Sequence, residues 1–384
     1  MSRPLVWLLL TALVATEASA GTLSRQMNVV ERIRGARFTR QVTTVTLDRR
    51  DLPKHLRRQV EKMTPYSLED YGTILEALYL VDPTVRDVVP RFFDLLQQQV
   101  LAYYDPLTNT YYAIRGVPPG MPIDSRTGIM RDAVAVHELT HALQDQRFAI
   151  GARDLALRDD WDASLAFHAV IEGEASLVML SYVAGMTGRL LAELVSNDLF
   201  MDSAVAAAGK TVPSGTPRYL VDSLEFPYVA GLRFVAAAYR RGGWPAVDTL
   251  YSDPPRSSRE ILHPEEYFAG RRYPTSLVRD PVHLQGGVLS VEHMGEFHWS
   301  FLVGADNARG WLDDRVTIAQ NALCMPTVTI ETRWESYAAA TRFATAYERF
   351  IRARAPEAVV VRDGAAVRAA YGADDAAIHE IGPR

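Results

Sequence analysis

Residues 133–148 read AVAVHELTHALQDQRF, and this stretch constrains the fold more tightly than any other. Val134, Val136, Leu139 and Leu143 recur at helical spacing and set the segment on a helix with one side against a core. His137 and His141 then lie about 40° apart around the axis and one turn apart along it, so both imidazoles reach one point. Burying two histidines on such a helix is costly unless something binds them. The chain must therefore bring hydrogen-bonding partners to this face, as for ordinary core histidines, or a metal ion.

Zinc takes nitrogen ligands in this arrangement, and a reactive zinc site uses three protein ligands and keeps a fourth position open. Glu138 is rotated by about 100° from His137, which carries it off the ion and toward a water there, where a general base belongs. The one cysteine, Cys324, excludes both an internal disulfide and a thiolate cluster. Set in ALCMPTV, it reads as a buried, inert thiol. The third ligand must then be His, Glu or Asp. A third histidine ten residues beyond His137 is absent, because Gln144 and Arg147 stand where Gly and His would be.

The best source is AFHAVIEGEASLVML, residues 166–180, in a long helix expected over about 161–195. Glu172 and Glu174 are the only acids in a run otherwise fit for a core, and about 200° around a helix separates them, so they cannot share one ion. Glu172 lies on a stripe with Leu165, His168, Ala175 and Met179, and the small Gly173 and Ala175 allow a close helix neighbour; it is taken as the ligand. Glu174 is expected to support a ligand histidine by accepting its N–H. A structural ion pair is the alternative for each acid, and His168 reads either as a partner beside the site or as a core histidine.

HELTH followed by EGEA resembles the gluzincin class of zinc metallopeptidases, whose third ligand is a helix glutamate in a context such as E-G-x-A. The resemblance implies one zinc ion on His137, His141 and Glu172, with Glu138 as the base and a peptide or protein as substrate. It is specific over roughly 130–180. It extends loosely to YVAGLRFVAAAYRRGGWPAVDTLYSDPP and EILHPEEY, which are similar to exported bacterial proteins with the same zinc motif. Residue 171 is Ile where the thermolysin-like form has Asn, and the separation of His141 from Glu172 is longer than in the best-known members. A peptidase also needs an edge strand for an extended substrate and a donor to the oxyanion. The hairpin at 100–116 is the expected edge. His263 is the first choice of donor, with Tyr267 and Tyr228 behind it and a capping or core histidine as the plain alternative.

The rest of the chain fits an exported α+β protein, mainly helical. MSRPLVWLLLTALVATEASA has an early cation, an apolar run too short for a membrane span and an A-x-A ending, so residues 1–20 read as a signal peptide cleaved near Ala20. A formal net charge of -5 without basic blocks argues against nucleic acid as a partner. Strand 38–47 is expected first, then helices opened by Asp51, Ser67 and Asp82-Pro83, the last kinked at Pro90. The stretch LVMLSYVAGM is expected in a core helix. A boundary is expected near 275–285, dividing a zincin-like domain (21–275) from a smaller α+β region (285–384). There TVTIETRW, the hairpin around Asp363-Gly364 and AAIHEI read as strands around one helix. The rival readings are a zinc-stabilised binding protein without turnover and a purely structural helical protein.

Overall fold

The computed structural model describes residues 20–85, 87–116, 127–197, 201–203, 215–270, 286–374, 378, 379 and 381. The expected signal segment before Ala20, the loop at 117–126 and the expected domain boundary lie outside the described residues. The fold is α+β with two small sheets.

The described residues open with α1 (Ala20–Arg34), which the sequence reading leaves out. Its Leu23, Gln26, Val30 and Arg34 are buried at helical spacing. Strand β1 (Thr43–Asp48) leads into α2 (Leu52–Met63), α3 (Leu68–Ala77) and α4 (Val88–Gln99). Ser67 caps α3 by accepting from the Asp70 N–H at 3.0 Å, whereas Asp51 precedes α2 without a side-chain cap. Helix α4 starts later than Asp82-Pro83, so Pro90 falls in its first turn. An N–H there has no partner within the helix, and the expected kink has no cause. The hairpin β2 (Ala102–Asp105) and β3 (Thr110–Arg115) completes a sheet of order β1-β3-β2, with β1 parallel and β2 antiparallel to β3. Strand β2 is thus an edge.

Helix α5 (Thr127–Phe148) carries the HELTH segment, and α6 (Ile150–Ala156) follows it. Helix α7 (Trp161–Gly185) stops short of 195; a separate short helix, α8 (Leu191–Val195), follows. Among the described residues α7 is the one helix long and apolar enough to cross a membrane, but 67% of that apolar window is buried inside the fold. It is a core helix, packed against α5 and against α9 (Arg218–Ser252). The α7–α9 contact is backbone to backbone. A Cβ on Gly173 would stand 2.3 Å from the Gly231 carbonyl oxygen, and one on Gly231 would stand 2.1 Å from that of Ala169. Helix α9 breaks at Gly242 and Gly243, the latter at φ +64°, and two short helices, α10 (Ser258–Leu262) and α11 (Pro264–Phe268), follow it.

Beyond residue 286 an antiparallel sheet has the order β4-β5-β6-β8-β7, with β4 (Gly287–Glu292), β5 (Trp311–Gln320), β6 (Pro326–Trp334), β7 (Val359–Asp363) and β8 (Ala366–Gly372). Helices α12 (Gly295–Val303), α13 (Ala305–Ala308) and α14 (Tyr337–Arg352) accompany it. The sequence reading finds β6, α14, β7 and β8 but misses β4, α12, α13 and β5. AAIHEI is helical at Ile378, His379 and Ile381, not a strand; Ile378 and Ile381 are buried three residues apart, a helical spacing. Cys324 is not buried: it is exposed at φ +58° in the β5–β6 turn, beside Leu323 at 78% exposure. This sheet shares a core with earlier elements. Ile74 and Leu75 of α3, Leu95 of α4 and Leu220 of α9 join Trp299, Ile330, Trp334 and Phe343 in one cluster.

Candidate metal centre

Helix α5 buries Val136, Leu139 and Leu143 against Tyr104 and Tyr111 of the hairpin, Leu23 of α1 and Val178 of α7. That packing turns His137 and His141 toward α7, where the Gly173–Gly231 contact holds α9 alongside. His137 Nε2 lies 3.0 Å from Glu172 Oε2, His141 Nε2 lies 3.5 Å from the same oxygen, and the two nitrogens are 3.2 Å apart. Zinc with bonds of about 2.0–2.1 Å in tetrahedral geometry sets its ligand atoms about 3.3 Å apart. The three atoms, a nitrogen from each imidazole and a carboxylate oxygen, therefore fit a zinc ion in both spacing and chemistry. The two histidines are 7% and 8% exposed, so the donor set is screened from bulk water.

Each ring is oriented from outside the triad. Nδ1 of His141 meets Gln144 Oε1 at 2.9 Å, and Gln144 Nε2 donates to the Ile171 carbonyl at 3.0 Å. His137 stacks on Tyr228 with centroids 6.1 Å apart and planes at 21°, and its Nδ1 is buried without a hydrogen-bond partner. The Tyr228 hydroxyl hydrogen-bonds Glu172; burial and then the Glu172 and Glu138 charges hold the phenol well above its usual range, so it stays protonated. Glu138 Oε2 accepts from the Tyr104 N–H at 2.9 Å, which shows that this amide of β2 points away from β3 and toward the helix. Burial pushes the Glu138 carboxyl up, against the pull of His141 and His137. Burial alone would also raise Glu172, but His141 and His137 outweigh it and hold that carboxyl well below its usual range.

The structure brings together His137, Glu138, His141 and Glu172. Two other expected site residues lie elsewhere. Glu174 does not support a ligand histidine, because Arg34 Nε takes one of its oxygens at 2.5 Å and the Tyr251 hydroxyl takes the other at 2.5 Å. Gln144 performs the support that Glu174 was expected to give. His263 pairs with Glu296 at 2.6 Å and contacts Arg309, on elements of the C-terminal sheet region, which fits the alternative of a structural histidine. Tyr267 donates to the Asp253 carbonyl. Of the three candidate donors, Tyr228 is the one set against the triad. His168 is half-buried and pairs with Asp154 at 3.0 Å, one turn before Glu172 on the same stripe. Sequence reasoning missed Gln144 and Tyr104 as site residues. Gln144 was legible, three residues past His141 on one helix face; Tyr104 contributes a backbone N–H, which no side-chain pattern announces.

A family model described as a domain of unknown function (DUF8575) matches residues 279–380, the C-terminal sheet and its helices, and none of the residues of the metal centre. No curated protein and no solved structure matches the chain.

Proposed function

We propose that this protein is an exported zinc metallopeptidase with a zincin-like core. The observation that carries the reading is the convergence of His137 Nε2, His141 Nε2 and Glu172 Oε2 within 3.0–3.5 Å of one another, with the carboxylate of Glu138 beside them. A structural zinc site needs no base, and its coordination is closed by four protein ligands. Here three groups converge, and a fourth, Glu138, lies within 4.8 Å of both histidines with one oxygen engaged by the Tyr104 N–H. Export rests on the signal-like first twenty residues.

When bound, zinc polarises the scissile carbonyl and acidifies the attacking water. Glu138 takes the water's proton on its carboxylate and passes it to the leaving amine. Burial raises its proton affinity, the direction that helps it hold the proton it has taken. Tyr228 keeps the proton on its hydroxyl, which it gives to Glu172 in this structure, and becomes the donor for the carbonyl oxygen by turning from that carboxylate to the substrate as charge develops. Strand β2, whose outer edge carries no strand among the described residues, offers backbone groups to an extended peptide.

The test is a peptide-library digest by the zinc-loaded wild type and by Glu138→Gln, with zinc content measured on the same samples. Cleavage is expected from the wild type only, with zinc retained in both. Full activity in Glu138→Gln would sink the mechanism. Zinc without cleavage in either protein would point to the binding-protein reading.

A further inference from the structure

Gln144 is 1% exposed, and its two polar atoms span the helices that bear the ligands. The Ile171 carbonyl can only accept, so the Gln144 nitrogen must face it. The amide oxygen is then left for His141, and an oxygen acceptor requires the proton to be on Nδ1. That places the lone pair on Nε2, the nitrogen that lies 3.2 Å from His137 Nε2 and 3.5 Å from Glu172. Ile171 also immediately precedes Glu172. One side chain thereby fixes both which nitrogen of a ligand on α5 is available and where the α7 backbone holds the third ligand.

Resting on the metal-site reading above, we propose that Gln144 is the positioning residue of the centre. It selects the Nδ1–H form of His141 and ties His141 and Glu172 into the spacing an ion needs. The hydrogen bond is directional, so an apolar side chain of similar size fills the volume without doing this. Glutamate keeps the acceptor toward Nδ1 whether or not it is ionised but donates to the Ile171 carbonyl only when protonated, so it should restore the Nδ1 proton in full and the affinity in part. Partners of this kind typically account for about 10–100-fold in metal affinity.

The experiment is chelator competition for zinc on wild type, Gln144→Met and Gln144→Glu. It is joined by nitrogen-15 NMR of the zinc-loaded proteins to locate the His141 proton and by thermal unfolding to report the fold. Expected results are an affinity about 10–100-fold lower in Gln144→Met, partly recovered in Gln144→Glu, with the proton on Nδ1 in wild type and Gln144→Glu. Should Gln144→Met fail to fold, Gln144→Glu alone decides: it must bind zinc with the Nδ1 proton in place. A folded Gln144→Met with wild-type affinity overturns the proposal and leaves the metal-site reading standing. So does a folded Gln144→Glu that loses zinc, or that falls as far as Gln144→Met. A wild type that binds no zinc overturns both.

Discussion

Glu172 and Glu174 face opposite sides of α7, about 200° apart, and what each side chain meets decides its role. Glu172 meets two imidazoles; Glu174 meets Arg34, from the end of α1, and Tyr251. Arg34 has no exposed side-chain surface, so Glu174→Ala leaves a guanidinium buried beside its remaining partner, Asp248. A loss of about 3–5 kcal/mol is expected from denaturant unfolding, the scale for breaking one side of a buried pair. A wild-type midpoint would show that the pair carries no such weight. Tyr228→Phe removes a donor without removing volume. Its kcat should fall by about 10²–10³-fold with zinc content unchanged, and an undiminished kcat would remove Tyr228 from the chemistry. These contacts also mark where the sequence was readable. The convergence of His137 and His141 was legible because their spacing follows from one helix, and that of Glu172 because an acid stands out in an apolar run. Glu174 was misread because its partner Arg34 lies 140 residues away, a distance no local pattern reports. His263 failed for the same reason, and Cys324 because apolar neighbours mark a core only where the chain does not turn.

Among the elements, the close contact of α7 with α9 does most to place Glu172, the proposed third ligand. Gly173 and Gly231 let the two backbones touch, and Gly231→Ala forces a methyl to 2.1 Å from the Ala169 carbonyl. The helices must part, at a cost of about 1–3 kcal/mol for an overpacked site. Because Glu172 rides on α7 and Tyr228 on α9, zinc affinity should drop along with the melting temperature. A destabilised Gly231→Ala with unchanged zinc affinity would show that Glu172 is placed by α5 alone. The N-terminus of α7 is fixed from the other sheet. Asp160 caps it through the Ala163 N–H and also binds His293, just past β4, at 2.9 Å. That hydrogen bond raises the His293 imidazole from 6.5 to about 9. A folded value above the unfolded one contributes stability that is complete below about 6.5 and is lost as pH rises through about 9. Solvent weakens it, since the ring is 40% exposed. The difference in melting temperature between wild type and His293→Gln should therefore be larger at pH 6 than at pH 10; a difference that grows with pH would contradict the pairing.

For the whole molecule, the region matched by the family model is not a free appendage. Trp299, Trp334 and Phe343 share a core with α3, α4 and α9, and the Tyr371 hydroxyl donates to the Ala77 carbonyl at 2.9 Å. A chain ending at residue 275 would expose that core, so it should be recovered unfolded or aggregated by circular dichroism and light scattering. A soluble, folded product would restore the two-unit organisation read from the sequence. That reading caught the mainly helical α+β character from periodicity. It missed the shared core because the contacts join residues far apart in the sequence, as Tyr371 with Ala77, 294 positions away. The C-terminal sheet thus supports the helices that carry the proposed metal centre through α9 and the capped start of α7. The most direct measurement of that centre is zinc content by mass spectrometry for the purified wild type, His137→Ala, His141→Ala, Glu172→Ala and Glu138→Gln. One zinc per chain is expected in the wild type and in Glu138→Gln, and none in the three ligand variants. A wild type without zinc, or a folded Glu172→Ala that keeps it, would contradict the assignment.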